Sequence, residues 1–271
     1  MDRIGTLPNL RYGESLKAVI LAGGLGTRLR EETEFRPKPM VEIGGRPILW
    51  HIMKHLSTYG IREFVIAVGY KGEMIKDYFL NYETRNNDFT VQLGQREAIS
   101  IHGGHDESDW EVTVADTGQE TLTGGRIRRV AKYLSDEPFL VAYGDGLSNV
   151  DISALVSTHA SHHSLATVTI TQPPSRYGVV HLNGDLVEGF QEKPRLDGWV
   201  NIGYFIFEPR ALEYVVNDGS LELTPLVSLA RDGELGAYRH NGFWQPMDTF
   251  REATLLNDLW NSGAAPWRSW T

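Results

Sequence analysis

The amino-acid sequence predicts an α/β chain on a mixed, mainly parallel sheet, with an antiparallel β-ribbon inserted into it. Three observations carry that expectation. From residue 17 onward, short apolar runs alternate with segments of helical periodicity, the pattern of successive βαβ units. Between residues 82 and 117 the pattern changes to short alternating strands parted by polar turns, as in antiparallel ribbons. A glycine-rich stretch follows the first strand directly, at the strand end where open α/β sheets bind their ligands.

Each element can be read in order. KAVILA (Lys17–Ala22) is a short apolar run suited to a strand buried on both faces. Pro47 stands at the first turn of a helix, and Gly60 is placed to end it. Within that helix Ile48, Leu49, Ile52, Met53 and Leu56 recur at helical spacing and make one apolar face. EFVIAVG is the next strand and KGEMIKDYFLN the next helix. FTVQLG, AISIHGG and WEVTVAD read as antiparallel strands separated by turns such as GHDESD. GGRIRRVAKYL returns to helix, and PFLVAYGDG to a buried strand that ends at Asp145. A helix over 151–163 follows. LATVTIT, YGVVHL, LVEGFQEK and VNIGYFIF are then strands, with helices over 211–216 and 224–231. The sequence shows no internal repeat, low-complexity tract or linker. The simplest organisation is a single domain over 17–271 with the ribbon at 82–117, preceded by a polar, poorly ordered extension over 1–16.

Composition narrows the function classes. The 271 residues carry a net charge of −9, which argues against general nucleic-acid binding, because that needs a broad basic surface. A small anionic substrate is still allowed, since a few placed cations dominate a pocket locally. There is no cysteine, so disulfides and thiolate metal sites are excluded. The N-terminal stretch lacks the apolar core of a signal peptide, and no segment has the length and apolarity of a bilayer span. A cytoplasmic protein is expected.

The chemistry starts in LAGGLGTRLREETEFRPKP. Gly23, Gly24 and Gly26 let the backbone turn sharply and admit a ligand close to the amides. Consecutive N–H groups there suit an anion, and Arg28 and Lys38 strengthen that preference. A P-loop would need a Lys-Ser or Lys-Thr pair after the glycines, and none is present. The dinucleotide fingerprint would need Gly or Ala where Leu29 stands. Leu21-Ala22-Gly23-Gly24-x-Gly26-Thr27-Arg28-Leu29 followed by Arg-Pro-Lys-Pro instead resembles the sugar nucleotidyltransferases. KPMVEIGGRPILWHIMK, VGYKGEMIKDYF, VADTG, TGGRIRRVAKY, YGDG, FQEKP, GFWQPMDT and APWRSW narrow the resemblance to the glucose-1-phosphate cytidylyltransferases. The match runs in order from about Lys17 to the C-terminus.

The resemblance implies a Rossmann-like, three-layer αβα nucleotidyltransferase fold and Mg²⁺-dependent cytidylyl transfer from CTP to a sugar 1-phosphate. It also implies a homo-oligomer. Read physically, an oxygen of the sugar phosphate attacks the α-phosphorus of the nucleotide and pyrophosphate leaves. The nucleophile is already anionic, so catalysis is positioning and charge neutralisation. Arg28 and Lys38 would neutralise the triphosphate, with the loop from Leu21 to Thr27 around it. Arg126 is a further nucleotide cation by resemblance. Asp145, at the end of a buried strand, and Asp248 in QPMDT come from distant segments, and two such carboxylates can hold Mg²⁺. Lys193 would bind the sugar phosphate and Glu192 the sugar hydroxyls, with Tyr143, Gly178 and Asn201 beside them. Plainer readings stay open: an Asp-Gly turn at 145, a helix cap at 248, and a solvated Glu192–Lys193 pair.

Other enzyme readings use GTP, dTTP or UTP. A GT-A glycosyltransferase would normally carry Asp-x-Asp, which occurs nowhere in this chain. A non-catalytic relative would have no need to keep Arg28, Lys38, Asp145, Lys193 and Asp248 together.

Three departures from the resembled family fall on the sugar side. The family's Asn-Gly-Gly is Asn201-Ile202-Gly203 here, its Glu before Pro-Leu is Thr224, and RYGVVHL replaces an alanine-containing version. Ile202 is expected to take volume near the sugar ring and Thr224 to remove a carboxylate, shifting preference toward a related hexose or heptose 1-phosphate. His159, His162 and His163 read as a solvated helix end, and Arg128 and Arg129 as surface residues. Trp244, Trp260, Trp267 and Trp270 read as core or subunit contacts.

Overall fold

The computed structural model describes residues 16–94, 98–175, 177–195 and 197–270. The extension predicted at the N-terminus lies outside the described residues, apart from Leu16, which is buried. The first half of the chain contains β1 (Lys17–Ala22), α1 (Arg30–Thr33), β2 (Glu42–Ile43), β3 (Arg46–Pro47) and α2 (Ile48–Ser57). It continues through β4 (Glu63–Val68), α3 (Gly72–Leu80), α4 (Tyr82–Asn86), β5 (Asp88–Val91), β6 (Ile99–His102) and β7 (Glu111–Asp116). Next come α5 (Thr123–Val130), β8 (Phe139–Tyr143), β9 (Gly146–Ser148), α6 (Ile152–His162) and β10 (Ala166–Thr171). The remainder is β11 (Val179–Asn183), β12 (Leu186–Gln191), β13 (Val200–Phe207), α7 (Pro225–Arg231), β14 (Leu235–Arg239), β15 (Trp244–Pro246) and α8 (Phe250–Asn261).

Seven strands form the central sheet in the order β14-β10-β13-β8-β1-β4-β7. Only β13 runs against its neighbours, so the sheet is mixed and mainly parallel. Alternation along β1 sends Ala18, Ile20 and Ala22 into one core layer and Val19 and Leu21 into the other. Burial on both faces is what an uninterrupted apolar strand requires.

The inserted region differs from its expectation in one strand. β5 and β6 do form an antiparallel hairpin, but β7 pairs in parallel with β4 as the edge of the central sheet. Alternation of apolar and polar residues marks a strand with one covered face and does not tell which way its partner runs. The YGVVHL and LVEGFQEK segments likewise stay off the main sheet, as the separate hairpin β11–β12.

All ten residues of α2 are buried, including Trp50, His51, Lys54 and His55 on the side away from the sheet. The C-terminal tail covers that side: Trp267 is fully buried, while Trp260 and Trp270 pack against the same core. This burial fixes the histidine protonation states. His51 donates from Nε2 to the Ile43 carbonyl at 2.7 Å and accepts at Nδ1 from the Trp267 indole at 3.4 Å. His55 donates to the Val150 carbonyl at 2.9 Å and meets Ser269 at 3.3 Å.

His159 also departs from its expectation as a solvated residue. It is buried against Thr167 Oγ1 at 2.9 Å and Glu208 at 3.4 Å, whereas His162 and His163 are exposed. His159 lies one turn deeper in α6, on the stripe of Ile152, Leu155 and Val156. Arg128 and Arg129 are exposed, as expected.

Burial lowers His51 and His55 from 6.5 to about 4. The unfolded chain therefore binds protons before the folded one does. The stability these rings contribute is whole above pH 6.5 and is lost as pH falls from 6.5 toward 4. At about 1.4 kcal/mol per pH unit, each ring withdraws up to roughly 3 kcal/mol across that interval. Urea unfolding is expected to show a level midpoint from pH 7 to 8 and a falling one below 6.5. A level midpoint down to pH 4.5 would contradict the neutral, buried pair.

Candidate active site

A cleft of about 390 Å³ opens at the C-terminal ends of β1 and β8. Its lining joins the loop after β1, the turn after β8, the start of α5 and Asp248, two residues before α8. Leu21, Ala22, Gly23, Gly24, Gly26, Thr27, Arg28, Lys38, Arg126, Tyr143, Asp145 and Asp248 all border it. Thus every residue expected to bind nucleotide or metal reaches one cavity.

Lys38 lies at one end. It is buried, and its ammonium donates to Asp145 at 2.8 Å and to Asp248 at 2.6 Å. Burial by itself would pull the lysine pKa down, but the two carboxylates outweigh it and the group is raised and stays charged. Burial of Asp248 would raise its pKa, and Lys38 and then Arg28 reverse that and hold it below the ordinary value. Arg28 meets Asp248 at 3.2 Å with its side chain 78% exposed, so that pair adds little stability and leaves the guanidinium accessible to an anion.

The backbone explains the convergence. β15 pairs antiparallel with β9, Pro246 opposite Gly146, and the Met247 N–H donates to the Asp145 carbonyl at 2.8 Å. The strand from one distant segment is thereby laid along the turn of the other, and the two aspartates emerge side by side. Asp145 does sit in an Asp-Gly turn, yet its side chain is directed to Lys38. Asp248 is not the helix cap. Thr249 caps α8 through a capping box with Glu252, leaving the Asp248 carboxylate to the cleft.

Tyr143 and Thr123, which border the cleft, are both hydrogen-bonded to a third carboxylate, Glu222, which the sequence reading missed. Glu222 accepts hydrogen bonds from the Tyr143 hydroxyl, from Thr123 Oγ1 at 2.7 Å and from Ser220. Burial pushes Glu222 upward, but these donors prevail and hold it ionised below its usual range. Burial, reinforced by Glu222, raises the Tyr143 phenol. Asn201 partly offsets that rise in the Tyr143 phenol, and its side chain accepts the Gly203 N–H at 2.8 Å.

Both departures expected to remodel this end turn out otherwise. Ile202 is buried in the core layer shared with Tyr204 and Ile206, on the sheet face away from Tyr143. Gly203, at φ +81°, is the position that must be glycine, because a Cβ there would lie 2.6 Å from the Tyr143 ring. Thr224 is exposed at the start of α7, and the carboxylate comes from two residues earlier. The signal that could have found Glu222 is its place two residues after Ser220 in a short loop before a helix-opening proline.

Glu192, Lys193 and Gly178 do not line this cleft. They sit together at the base of the β11–β12 hairpin: a Cβ on Gly178 would lie 3.2 Å from the Glu192 carboxylate. Lys193, at φ +47°, is half exposed and pairs with Glu192 at 3.8 Å, the solvated arrangement left open by the sequence. Among the described residues no group of three or more His, Cys, Asp or Glu is arranged to hold a metal, and no helix is long and apolar enough to cross a membrane.

Comparison with known proteins agrees with this geometry. The nucleotidyl transferase family matches residues 17–245. The glucose-1-phosphate cytidylyltransferase of Salmonella typhimurium is 50% identical over 258 residues, covering 94% of this chain and 100% of that protein. A probable glucose-1-phosphate cytidylyltransferase of Bacillus subtilis is 44% identical over 257 residues, with 94% and 100% covered. A UDP-glucose pyrophosphorylase structure from Acinetobacter superposes with a TM-score of 0.67 at 18% identity, covering 93% of this chain and 96% of that one, which shows the shared fold. Matched by the nucleotidyl transferase family over most of its length and 50% identical to a relative covered in full, the chain belongs to the glucose-1-phosphate cytidylyltransferase family and is a sugar-1-phosphate nucleotidyltransferase.

Proposed function

We propose that the chain transfers the cytidylyl group of CTP to glucose 1-phosphate, releasing pyrophosphate and CDP-glucose. The observation that carries the sugar assignment is the ionised Glu222 hydrogen-bonded to Tyr143 and Thr123, two residues that border the cleft. An acceptor carboxylate fixed in this way suits the hydroxyls of a hexose. The named substrates of the relatives at 50% and 44% identity support it. The case for a different hexose or a heptose rested on Ile202 and Thr224, and neither faces the cleft.

The sugar-phosphate oxygen is the nucleophile and needs no general base, so the residues act by placing charge. The triphosphate lies at the end of the cleft lined by Lys38, Arg28 and the glycine loop. Until the nucleotide arrives, Lys38 holds Asp145 and Asp248 together against their mutual repulsion. Charge that develops on the oxygens around the α-phosphorus meets cations already fixed in place. Asp145 and Asp248 fit Mg²⁺: two carboxylates converge on a single cationic point, and Mg²⁺ accepts few protein oxygens beside phosphate and water. When bound, the ion would draw off negative charge from the phosphate oxygens and the leaving pyrophosphate. Glu192, Lys193 and Gly178, at the base of the β11–β12 hairpin, keep the sugar-phosphate role that the family resemblance gives them.

Pyrophosphate release measured over a matrix of nucleoside triphosphates and sugar 1-phosphates tests the assignment. CTP with glucose 1-phosphate is expected to give the highest kcat/KM, and a clear maximum at GTP, dTTP or UTP would replace the nucleotide reading. Asp145→Asn and Asp248→Asn are each expected to lower kcat by about two orders of magnitude, the scale of losing one electrostatic group in a closed site. Near wild-type turnover in either variant at saturating Mg²⁺ would remove that residue from the metal site.

The sugar end separates cleanly from the core. Glu222→Gln is expected to raise the KM for glucose 1-phosphate about tenfold while leaving CTP binding unchanged, since one charged hydrogen-bond acceptor is lost. Ile202→Ala is expected to cost about 2–5 kcal/mol of stability as a core cavity and to leave sugar preference unaltered. A switch of sugar preference in Ile202→Ala would return that side chain to the substrate site.

A further inference from the structure

His240 is not among the cleft's lining residues; it is buried in the turn between β14 and β15. Its backbone is fastened to the end of β10 in the central sheet. The His240 N–H donates to the Ile170 carbonyl at 2.8 Å, and Thr171 Oγ1 donates to the His240 carbonyl at 2.7 Å. From that base the ring reaches across to the β9–β15 pair. Burial lowers its pKa, so the ring is neutral. Nε2 donates to the Phe243 carbonyl at 3.0 Å and meets Ser148 Oγ at 3.3 Å. Ser148 Oγ donates to the same carbonyl at 2.9 Å, and the Asn149 N–H does so at 3.2 Å. Asn149 Oδ1 in turn accepts the Phe243 N–H at 2.7 Å. Both backbone groups of Phe243 are thus held from the end of β9.

That grip matters because the ladder it precedes is short. β15 faces β9 with Trp244 opposite Ser148, Gln245 opposite Leu147 and Pro246 opposite Gly146. Pro246 has no N–H to give. The register therefore depends on what holds the strand at its two ends. Met247 is held at the near end by the Asp145 carbonyl at 2.8 Å, and Phe243 at the far end by His240, Ser148 and Asn149. The turn is packed against the imidazole, since a Cβ on Gly242 would lie 2.7 Å from His240 Cε1. Phe243 also stacks on the buried Trp267, with ring centroids 5.6 Å apart. A slip of one residue would carry Asp248 about 3.3 Å along the strand direction and turn alternate side chains to the other face. Lys38 holds Asp248 at 2.6 Å, and that contact does not survive such a slip.

We infer that His240 is a positioning residue for Asp248: by closing the turn ahead of β15 onto Phe243 and Ser148, it sets the register that brings Asp248 to Lys38 and Asp145. It acts through the backbone from Phe243 to Met247 and not as a ligand. That role rests on the reading of Asp248 as a metal ligand, proposed above, and names the residue that places it. Glutamine offers an N–H close to where His240 Nε2 carries one, whereas leucine fills similar space with no donor. Hydrogen bonding and packing can therefore be separated. Asn149 is exposed, so Asn149→Ala removes a second hold on Phe243 without opening the core.

The test measures binding of Mn²⁺·CTP and of metal-free CTP by calorimetry, with no sugar phosphate present, in variants whose thermal melts show folded protein. His240→Leu is expected to weaken Mn²⁺·CTP about tenfold, the scale of one misplaced charged contact. Metal-free CTP is expected to stay within about twofold of wild type, since the other cleft residues are untouched. His240→Gln is expected to recover most of the loss, and Asn149→Ala to weaken Mn²⁺·CTP in the same direction as His240→Leu. Combined with Asp248→Asn, His240→Leu is expected to add no further loss, because two changes that act through one carboxylate are not additive. Full additivity would mean that His240 supports the fold at large and would overturn the inference. Wild-type Mn²⁺·CTP affinity in His240→Leu, or equal weakening in His240→Gln and His240→Leu, would overturn it too. If His240→Leu does not fold, Asn149→Ala decides, and wild-type affinity there sinks the idea. Wild-type metal binding and turnover in Asp248→Asn would instead count against the metal reading, independently of the His240 variants.

Discussion

A buried ammonium between two carboxylates organises this protein. Lys38 lies on the turn after the glycine loop, Asp145 on the turn after β8, and Asp248 at the threshold of α8. Remove the lysine and two anions are left facing each other in a partly enclosed cleft. Remove one aspartate and a buried cation loses one of the two carboxylates that keep it charged. Breaking such a set is costly because the remaining charge stays buried, so the sheet, the β9–β15 ladder and the capping box of α8 must all deliver their residues to within hydrogen-bonding distance. The short β9–β15 ladder has only three paired residues on each strand. Its work is register: it sets Asp248 beside Asp145.

Glycine use follows from side chains as much as from ligands. The sequence suggests an anion cradle at Gly23 and Gly24, and the cleft agrees, yet Gly23 and Gly69 are also dictated by the Arg126 guanidinium packed on them. Gly203 likewise leaves room for the ring of Tyr143, whose hydroxyl reaches Glu222. The family's neighbouring glycine can become Ile202 because that residue turns to the other sheet face and joins the core. The same substitution one residue later would drive a side chain into Tyr143.

The sequence made the parallel sheet, most helices and the Lys38, Asp145 and Asp248 triad legible. Apolar runs and glycine punctuation report burial and turns, and the long glycine-lysine signature reports a site. Three things stayed hidden for physical reasons. The direction of β7 is invisible because alternation is the same for parallel and antiparallel pairing at an edge. The face of Ile202 is invisible because β13 is buried on both faces: the period of two groups Val200, Ile202, Tyr204 and Ile206 in one layer and Phe205 and Phe207 in the other, and alternation does not tell which layer lies away from the cleft. Glu222 is invisible because its partners Tyr143 and Thr123 come from other segments far away in the chain. His159 was misread for a related reason: three histidines in five residues look alike in sequence, and only helix phase separates the buried one from the other two.

The site is also supported from behind. Asn257, within α8, accepts the Gly44 N–H at 2.9 Å and so ties α8 to the β2–β3 turn. α2 starts directly after β3, with the Ile48 N–H donating to the Val41 carbonyl at 2.9 Å, just beyond the turn that carries Lys38. The C-terminal tail then closes over α2, with Trp267 on His51 and Ser269 on His55. The helix that presents Asp248 and the turn that presents Lys38 are therefore braced on one another through a common layer of aromatic packing. Neutral imidazoles suit that layer, since each can donate one hydrogen bond and accept one without bringing a charge into it. Protonating His51 would set its Nδ1–H against the Trp267 indole N–H, a charge on either ring would be buried, and the disturbance would fall on the two elements that hold the lysine and the aspartate together.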